Sequence, residues 1–390
     1  MPPQPDSPPP GPVSAVEMRQ RMPSAARWAY LDHAAVAPLP AVARDAMREW
    51  VTDVADNGAT DWGRWRREVE TLRRSAASML SADVDGVAVV RNTTEGIGLV
   101  AEGLDWQPGD NLVVPGCEFP SNLYAWQHLE RRGVEVRVVP TTLDQIDYDS
   151  IDAACDHRTR LVTSSWIGFR TGFRIDPARM AHIAHSHDAI YFLDAIQGLG
   201  AFPLDVEATG VDALAADGHK WLLGPEGAGL LYLRPSLLDR LRPLGIGWNS
   251  VTHAGDFSNT ALDLKPTAGR YEGGTYNMVG IAGLSASVQW MMSLGIGAIR
   301  DLVLANAAHL ADRLESAGAR VASCRQPDHL SGIVSFEWPG HSPTTLQRTC
   351  QSEGVVINSR DGRLRASPHA YSNTDDCDRL LEILAAHPPG

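Results

Sequence analysis

Seven short runs, each nearly continuous in apolar residues, punctuate the chain between residues 86 and 234. They read GVAVVR (86–91), NLVVPG (111–116), VEVRVVP (134–140), RLVTSSWI (160–167), AIYFLD (189–194), ALAAD (213–217) and GLLYLR (229–234). Segments with the helical period separate most of them. A strand buried on both faces loses the polar alternation of a half-exposed strand, so the pattern predicts an α/β fold with a mainly parallel sheet covered by helices. Such a sheet binds its ligand at the carboxyl ends of its strands. From about residue 281 the chain turns more helical, with a strand candidate at GIVSFEW (332–338), two more at VVIN and RLRASPH, and a closing helix at DDCDRLLEILAAH. The 390 residues suffice for one large domain and one smaller one. The expected division is a proline-rich tail over 1–15, an N-terminal segment over 16–40 that packs on the small domain, a large domain over 41–280 and a small α+β domain over 281–390.

Composition excludes several classes. A formal net charge of −13 argues against a nucleic-acid or anionic-membrane surface. No apolar run approaches the roughly 20 residues needed to span a bilayer. The start, MPPQPDSPPPGP, has neither the basic onset nor the apolar core of a signal peptide. Five scattered cysteines without CxxC spacing point to a reduced, cytoplasmic protein.

Several of the runs end in residues that carry chemistry. Asp194 closes AIYFLD, Gln197 follows three residues on, and Lys220 follows ALAAD within DGHKWLLGPEG. A lone loop lysine is ordinarily a surface residue. A lysine that forms a Schiff base must instead shed its proton from an ordinary pKa near ~10.4, which a desolvated site promotes. Pyridoxal phosphate is the cofactor that would need such a lysine together with a carboxylate to keep its pyridine nitrogen protonated. Asp194 suits that carboxylate, or a plain helix N-cap. Gln197 suits a donor to the cofactor's phenolic oxygen, or a loop amide. In RNTTEGIG (91–98) a helix starting at Thr93 or Thr94 offers free N–H groups and hydroxyls to a phosphate, or is simply threonine-capped. In CEFPSNLYAW (117–126) Phe119 either stacks on a cofactor ring or fills the core. GRLRASPH (362–369) sets Arg363 and Arg365 at strand spacing, to grip a substrate carboxylate or to form a solvated basic strand. RYEGGTYN (270–277) is glycine-rich and polar, either functional or a plain loop at the domain border. His182, His185 and His187 lie on a surface-helix pattern with no cysteine or carboxylate set nearby, so no metal is expected. GPEGAG (224–229) precedes a strand, whereas a dinucleotide fingerprint follows one.

Taken together these residues resemble the class V aminotransferase family, which includes the cysteine desulfurases. YLDHAAVAPLP, NTTEG, EFPSN, LDAIQ, DGHKWLLGPEG, RYEGGTYN and LRASPHAY fall in the family's order over about 30–373. The resemblance implies a fold-type I pyridoxal-phosphate enzyme working as a homodimer on a small amino acid. It implies Lys220 as the Schiff-base lysine, Asp194 at the pyridine nitrogen, Gln197 at the phenolic oxygen and Phe119 over the ring. Thr93, Thr94 and His219 would hold the phosphate, Thr275 would reach the neighbouring subunit's phosphate, and Arg365 would bind the substrate carboxylate.

Departures from the family pattern bear on the reaction. Phe119 stands where cysteine desulfurases usually stack a histidine, and it cannot transfer a proton. Asp217 replaces a serine, and Phe169 replaces an asparagine often found near the cofactor. The short SRDGRLR segment lacks the persulfide-forming cysteine, and Cys350 lies upstream on a helix pattern. EFPSNLY, GFRTGFR and DGHKWLLGPEG look most like the branch of isopenicillin N epimerase-like enzymes and C–S lyases. The favoured expectation is C–S cleavage without a protein persulfide, ahead of transamination or epimerisation. A non-catalytic pyridoxal-phosphate-binding protein is the alternative from outside enzymology.

Overall fold

A two-residue strand, β1 (Ala29–Tyr30), precedes the seven apolar runs, and all seven are strands of one sheet. They are β2 (Val87–Val90), β3 (Asn111–Pro115), β4 (Glu135–Val139), β5 (Thr159–Ser165), β6 (Ile190–Asp194), β7 (Ala213–Asp217) and β8 (Gly229–Leu233). The computed structural model describes residues 15–388. The expected tail over 1–15 therefore lies, apart from Ala15, outside the described residues.

The sheet order is β2-β8-β7-β6-β5-β3-β4. Strands β3 to β7 pair in parallel, and β8 runs antiparallel to both β7 and β2. Every residue of β2, β3, β6, β7 and β8 is buried, which is why their sequences show no alternation. The edge strand β4 differs: it exposes Glu135 and ion-pairs Arg137 to Glu135 and Asp156, the charged edge that discourages further pairing.

The small domain is a four-stranded antiparallel sheet, with β11 (Val355–Val356) set apart from it. Its strands β9 (Arg320–Val321), β10 (Val334–Glu337), β12 (Asn358–Arg360) and β13 (Arg363–Ala366) lie in the order β12-β13-β10-β9. Strand β11 pairs in parallel with β1, and Asp32 bridges to Ser367, so the N-terminal segment is built into this domain. Ala29 and Leu31 share its core with Phe336, Leu364 and Leu380.

Helix Met278–Leu294 spans the expected border at 280–281. Its Ile281, Leu284, Val288 and Met291 bury against the large-domain core, each contributing about 1.5–3 kcal/mol. At Gly295, whose φ of +86° suits glycine, the chain bends by 85° into helix Ile296–Ser316. That helix serves both cores: Ile299 and Val303 face the large one, Leu310 and Leu314 the small one. No single helix among the described residues is long and apolar enough to cross a membrane.

One buried ion pair ties the periphery together. Arg73, on helix Trp62–Leu80, donates from Nη1 and Nη2 to Glu272 Oε1 and Oε2 at 2.7 and 2.8 Å. Glu272 also accepts from the Val89 backbone N–H and from the Tyr276 hydroxyl, both at 2.6 Å. A single carboxylate thus fixes a helix, strand β2 and the loop that carries Thr275. Removing one partner would strand a buried charge, so Glu272→Gln should lower unfolding free energy by about 3–5 kcal/mol in urea titrations. The double replacement Arg73→Met with Glu272→Leu should cost less than either single change.

Candidate active site

The carboxyl ends of five strands converge on one cleft. Strand β6 delivers Asp194, β7 delivers Asp217, His219 and Lys220, β2 leads into Thr93, β3 into Phe119, and β5 into Phe169.

Asp194 is buried and accepts from the Ile196 backbone N–H at 3.2 Å. Burial pushes its carboxyl up to about 6, with Ile196 and Lys220 pulling the other way. Burial pushes the Lys220 amine down to about 8, against Asp194 and with help from Arg365. The two groups sense each other but form no ion pair, leaving Lys220 Nζ without a hydrogen-bond partner among the described residues. Lys220 and Lys265 are the only lysines in the sequence. Lys265 is half-buried elsewhere, donating to Asn249 Oδ1 at 3.3 Å.

Phe119 is not a core residue. It is 43% exposed, its ring centre lies 5.8 Å from Lys220 Nζ, and Phe169 meets its edge at 5.2 Å. Beneath it Glu118 is buried and accepts from the Ser165 backbone N–H at 2.7 Å and from Asn122 Nδ2 at 2.8 Å. Burial pushes its carboxyl up to about 7. Gln197 is fixed in orientation: Nε2 donates to Ala34 O and Oε1 accepts from Trp221 Nε1, both at 2.9 Å. One of its N–H hydrogens remains for a ligand.

The helix expected at Thr93 or Thr94 is Thr93–Gly103, but Asn92 caps it, accepting from the Glu95 N–H at 2.9 Å. That frees both threonines. Thr93 Oγ1 accepts from the Asp217 N–H at 2.9 Å, which locks the helix to β7, and Thr94 shares a 2.9 Å bond with Ser121. Gly96 permits this approach, since a Cβ there would lie 2.5 Å from that of Ala215. Asp217 Oδ2 sits 3.0 Å from His219 Nδ1, so the carboxylate turns toward the imidazole, although the two are not aligned as a hydrogen bond.

Arg365 belongs to no solvated strand. It is 1% exposed, with Nη1 donating to Phe169 O at 2.6 Å, Nη2 facing Asp32 Oδ1 at 3.3 Å, and Nε unpartnered. Arg363 instead pairs with Glu337 at 3.2 Å. Thr275 stands apart from the other candidates, forming no hydrogen bond with them and lining a cavity of about 600 Å³ with Arg91, Gly227 and Asn277. His185 and His187 each bond a carboxylate at 2.8 Å, Asp212 and Asp152 respectively. Among the described residues no group of three or more His, Cys, Asp or Glu side chains could hold a metal.

Sequence reasoning missed Asp32, Asn358 and Glu118. Asp32 lay within a quoted motif, but its partner Arg365 is more than 300 residues away. Glu118 had a local signal, a carboxylate directly after a buried strand.

A helix N-terminus flanked by two threonine hydroxyls, an unpartnered amine near a buried carboxylate, and an exposed aromatic face fit a phosphorylated pyridine aldehyde. The sheet, its order and this edge define a pyridoxal-phosphate enzyme of fold type I. The aminotransferase class-V family model matches residues 29–377, and the chain belongs to that family. It is 31% identical to a probable cysteine desulfurase of Methanothermobacter thermautotrophicus, over 94% of this chain and 96% of that one. It is 30% identical to a cysteine desulfurase of Enterobacter sp. (strain 638), over 91% and 92%. Among solved structures it is similar to the Escherichia coli cysteine desulfurase CsdA, with a TM-score of 0.86 and 26% identity over 96% and 98% of the two chains. It also shares the fold of the cystine C–S lyase C-DES, solved with cysteine persulfide, with a TM-score of 0.87 and 24% identity over 93% and 99%.

Only the neutral amine attacks an aldehyde, and Lys220 gains neutrality as pH rises through about 8. The rate of cofactor incorporation into apoprotein, followed by absorbance, should therefore rise about tenfold per pH unit below that value and level off above it. A midpoint near that of an ordinary lysine would contradict the burial of this amine.

Proposed function

We propose that the protein cleaves the C–S bond of a small sulfur-containing amino acid and releases the sulfur without storing it on a protein cysteine. Within the family this places it nearest the C–S lyases and isopenicillin N epimerase-like enzymes. The observation that carries the reading is the burial of four of the five cysteines, Cys324 alone being partly exposed, together with a β12–β13 turn that holds no cysteine. Cys350 is 0% exposed, on helix Pro343–Ser352 in the small-domain core, and burial pushes it up to about 11. Burial likewise pushes Cys117 and Cys377 up to about 12 and Cys155 up to about 11. Strands β12 and β13 are joined by Asp361 and Gly362 alone, both at positive φ, a turn with no cysteine. The names of the relatives, desulfurases and a cystine lyase, agree with sulfur chemistry.

Pyridoxal phosphate, when bound, supplies an electron sink for negative charge developing at Cα. The chain's own residues do the rest. Thr93, Thr94, His219 and the amides of helix Thr93–Gly103 would hold the phosphate. Asp194 would accept from the pyridine nitrogen, and Gln197 would donate to the phenolic oxygen. Phe119 would cover the ring, and it leaves proton transfer to other groups. Arg365 would orient the substrate carboxylate through its unpartnered Nε. Lys220 Nζ would take the Cα proton of the bound amino acid, a role for which a pKa near 8 is well placed. Loss of the β-sulfur as thiolate follows, and hydrolysis of the remainder yields pyruvate and ammonia. In a homodimer, Thr275 of each copy would complete the partner's phosphate site.

The test is a panel of amino acids given to holoenzyme, with sulfide or persulfide, keto acid and optical rotation assayed together. Sulfur release with equimolar pyruvate and ammonia is expected. Keto acid without sulfur would make the protein an aminotransferase, and loss of optical activity alone an epimerase. Lys220→Ala should lower turnover by at least ~10³-fold. Cys350→Ala should leave sulfur release within about twofold, as buried thiols are inert; a much larger loss would overturn the persulfide-free reading.

A further inference from the structure

A buried primary amide can present either its carbonyl or its N–H to a ligand, and half a turn about its last bond exchanges the two. Gln197 is 3% exposed, and its amide is locked at both ends. Nε2 donates to Ala34 O, and Oε1 accepts from Trp221 Nε1, both at 2.9 Å. Turning the amide over would set donor against donor at Trp221 and acceptor against acceptor at Ala34. An indole N–H only donates and a backbone carbonyl only accepts, so these two contacts admit one orientation. In that orientation the second hydrogen on Nε2 has no partner among the described residues. A buried donor left unpaired is costly, which marks it as kept for a ligand.

Trp221 follows Lys220 directly, so the residue that sets this amide also adjoins the reactive amine. Its side chain is 1% exposed and gripped by the small domain. A Cβ on Gly332 would lie 2.3 Å from Trp221 Cη2, and the His369 ring stacks on the indole with centres 5.7 Å apart. Gly200, at a φ of +97°, lets its own backbone pass the carbonyl: a Cβ there would meet Trp221 O at 2.5 Å. Ala34 is placed in turn by its N–H, which donates to Ser367 Oγ at 2.9 Å. The large domain thus supplies Gln197 and Trp221, while the N-terminal segment and the small domain hold both contacts in place. The titratable side chains packed around the pair keep their neutral forms near pH 7. Burial pushes His369 down to about 4, pushes His33 down as well, and pushes Tyr371 up. Asp194 and Lys220 are the charged groups on the cleft side.

We propose that Trp221 is a positioning residue: its indole N–H holds the Gln197 amide in the one orientation that keeps an N–H free for the cofactor's phenolic oxygen. The inference rests on the reading of Gln197 as the donor to that oxygen, and it names what keeps Gln197 a donor. Tryptophan suits the task because its N–H is fixed in a rigid ring and cannot reverse its role, as a hydroxyl could. A donor at the phenolic oxygen favours the anionic oxygen, so the bound cofactor gives up its proton at lower pH.

The test is the pH midpoint of the visible absorbance of the holoenzyme, read in Trp221→Phe, Trp221→Met, Gln197→Met and the double variant Trp221→Phe with Gln197→Met. Phenylalanine keeps a ring against His369, methionine refills the space flexibly, and both remove the N–H. Each Trp221 variant should raise the midpoint by about one pH unit, the scale of one hydrogen bond to a charged atom. Gln197→Met should do the same. In the double variant the midpoint should match that of Gln197→Met to within about 0.3 unit, because a residue acting only through Gln197 adds nothing once the amide is gone. A packing defect alone would lower the melting temperature and leave the midpoint in place. An unmoved midpoint in both Trp221 variants, or shifts that add in the double variant, would overturn the proposal while Gln197 keeps its role. An unmoved midpoint in Gln197→Met would overturn the reading of Gln197 itself, and the role of Trp221 with it.

Discussion

The structure depends on holding a buried carboxylate and a partly buried amine apart at the ends of neighbouring strands. Asp194 and Lys220 end or follow adjacent strands, both lose hydration, and neither satisfies the other. Burying ions without compensation is costly, and a direct ion pair would be the simplest relief. Rigid elements prevent it. Strand β6 pins Asp194 through its pairing to β5 and β7, and the chain around Lys220 is held by Leu223 N–H to Lys220 O and Gly224 N–H to Gly218 O. Leu223 itself sits at a φ of +54°, a strained setting for a branched side chain.

The large sheet was legible because burial on both faces writes itself directly into composition: five of its strands have no exposed residue at all. Residues at strand ends were legible only in combination, since a lone lysine or carboxylate after such a run has ordinary uses at a surface or a helix cap, and the structure brings them to one edge of the sheet. What the sequence hid is long-range. Asp32 meets Arg365 only because β1 adds to β11 and the next residues bridge to Ser367, a pairing with no local signature. The choice between a buried and a solvated Arg365 turned on that contact. The helix start expected at Thr93 or Thr94 is found at Thr93, and the alternative of a threonine cap gives way to Asn92, because threonine and asparagine serve equally well in isolation.

Glu272 shows how a loop that reads as plain becomes architecture. RYEGGTYN has glycines enough to be mobile, yet its glutamate accepts four hydrogen bonds from three separate parts of the chain. The position of the loop carrying Thr275 is thereby set by the buried pair Arg73–Glu272. The same division holds in the small domain, where Asn358 orients Asp32, the partner of the buried Arg365.

The scarcity of lysine has its own consequence. Thirty-two of the 34 basic side chains are arginines, whose guanidinium groups do not form stable imines with simple monoaldehydes. Of the two amines left on side chains, Lys265 is tied to Asn249, whereas Lys220 Nζ has no hydrogen-bond partner among the described residues. A monoaldehyde meeting this chain finds two side-chain amines, so selectivity for one of them is achieved by removing its rivals as well as by tuning it.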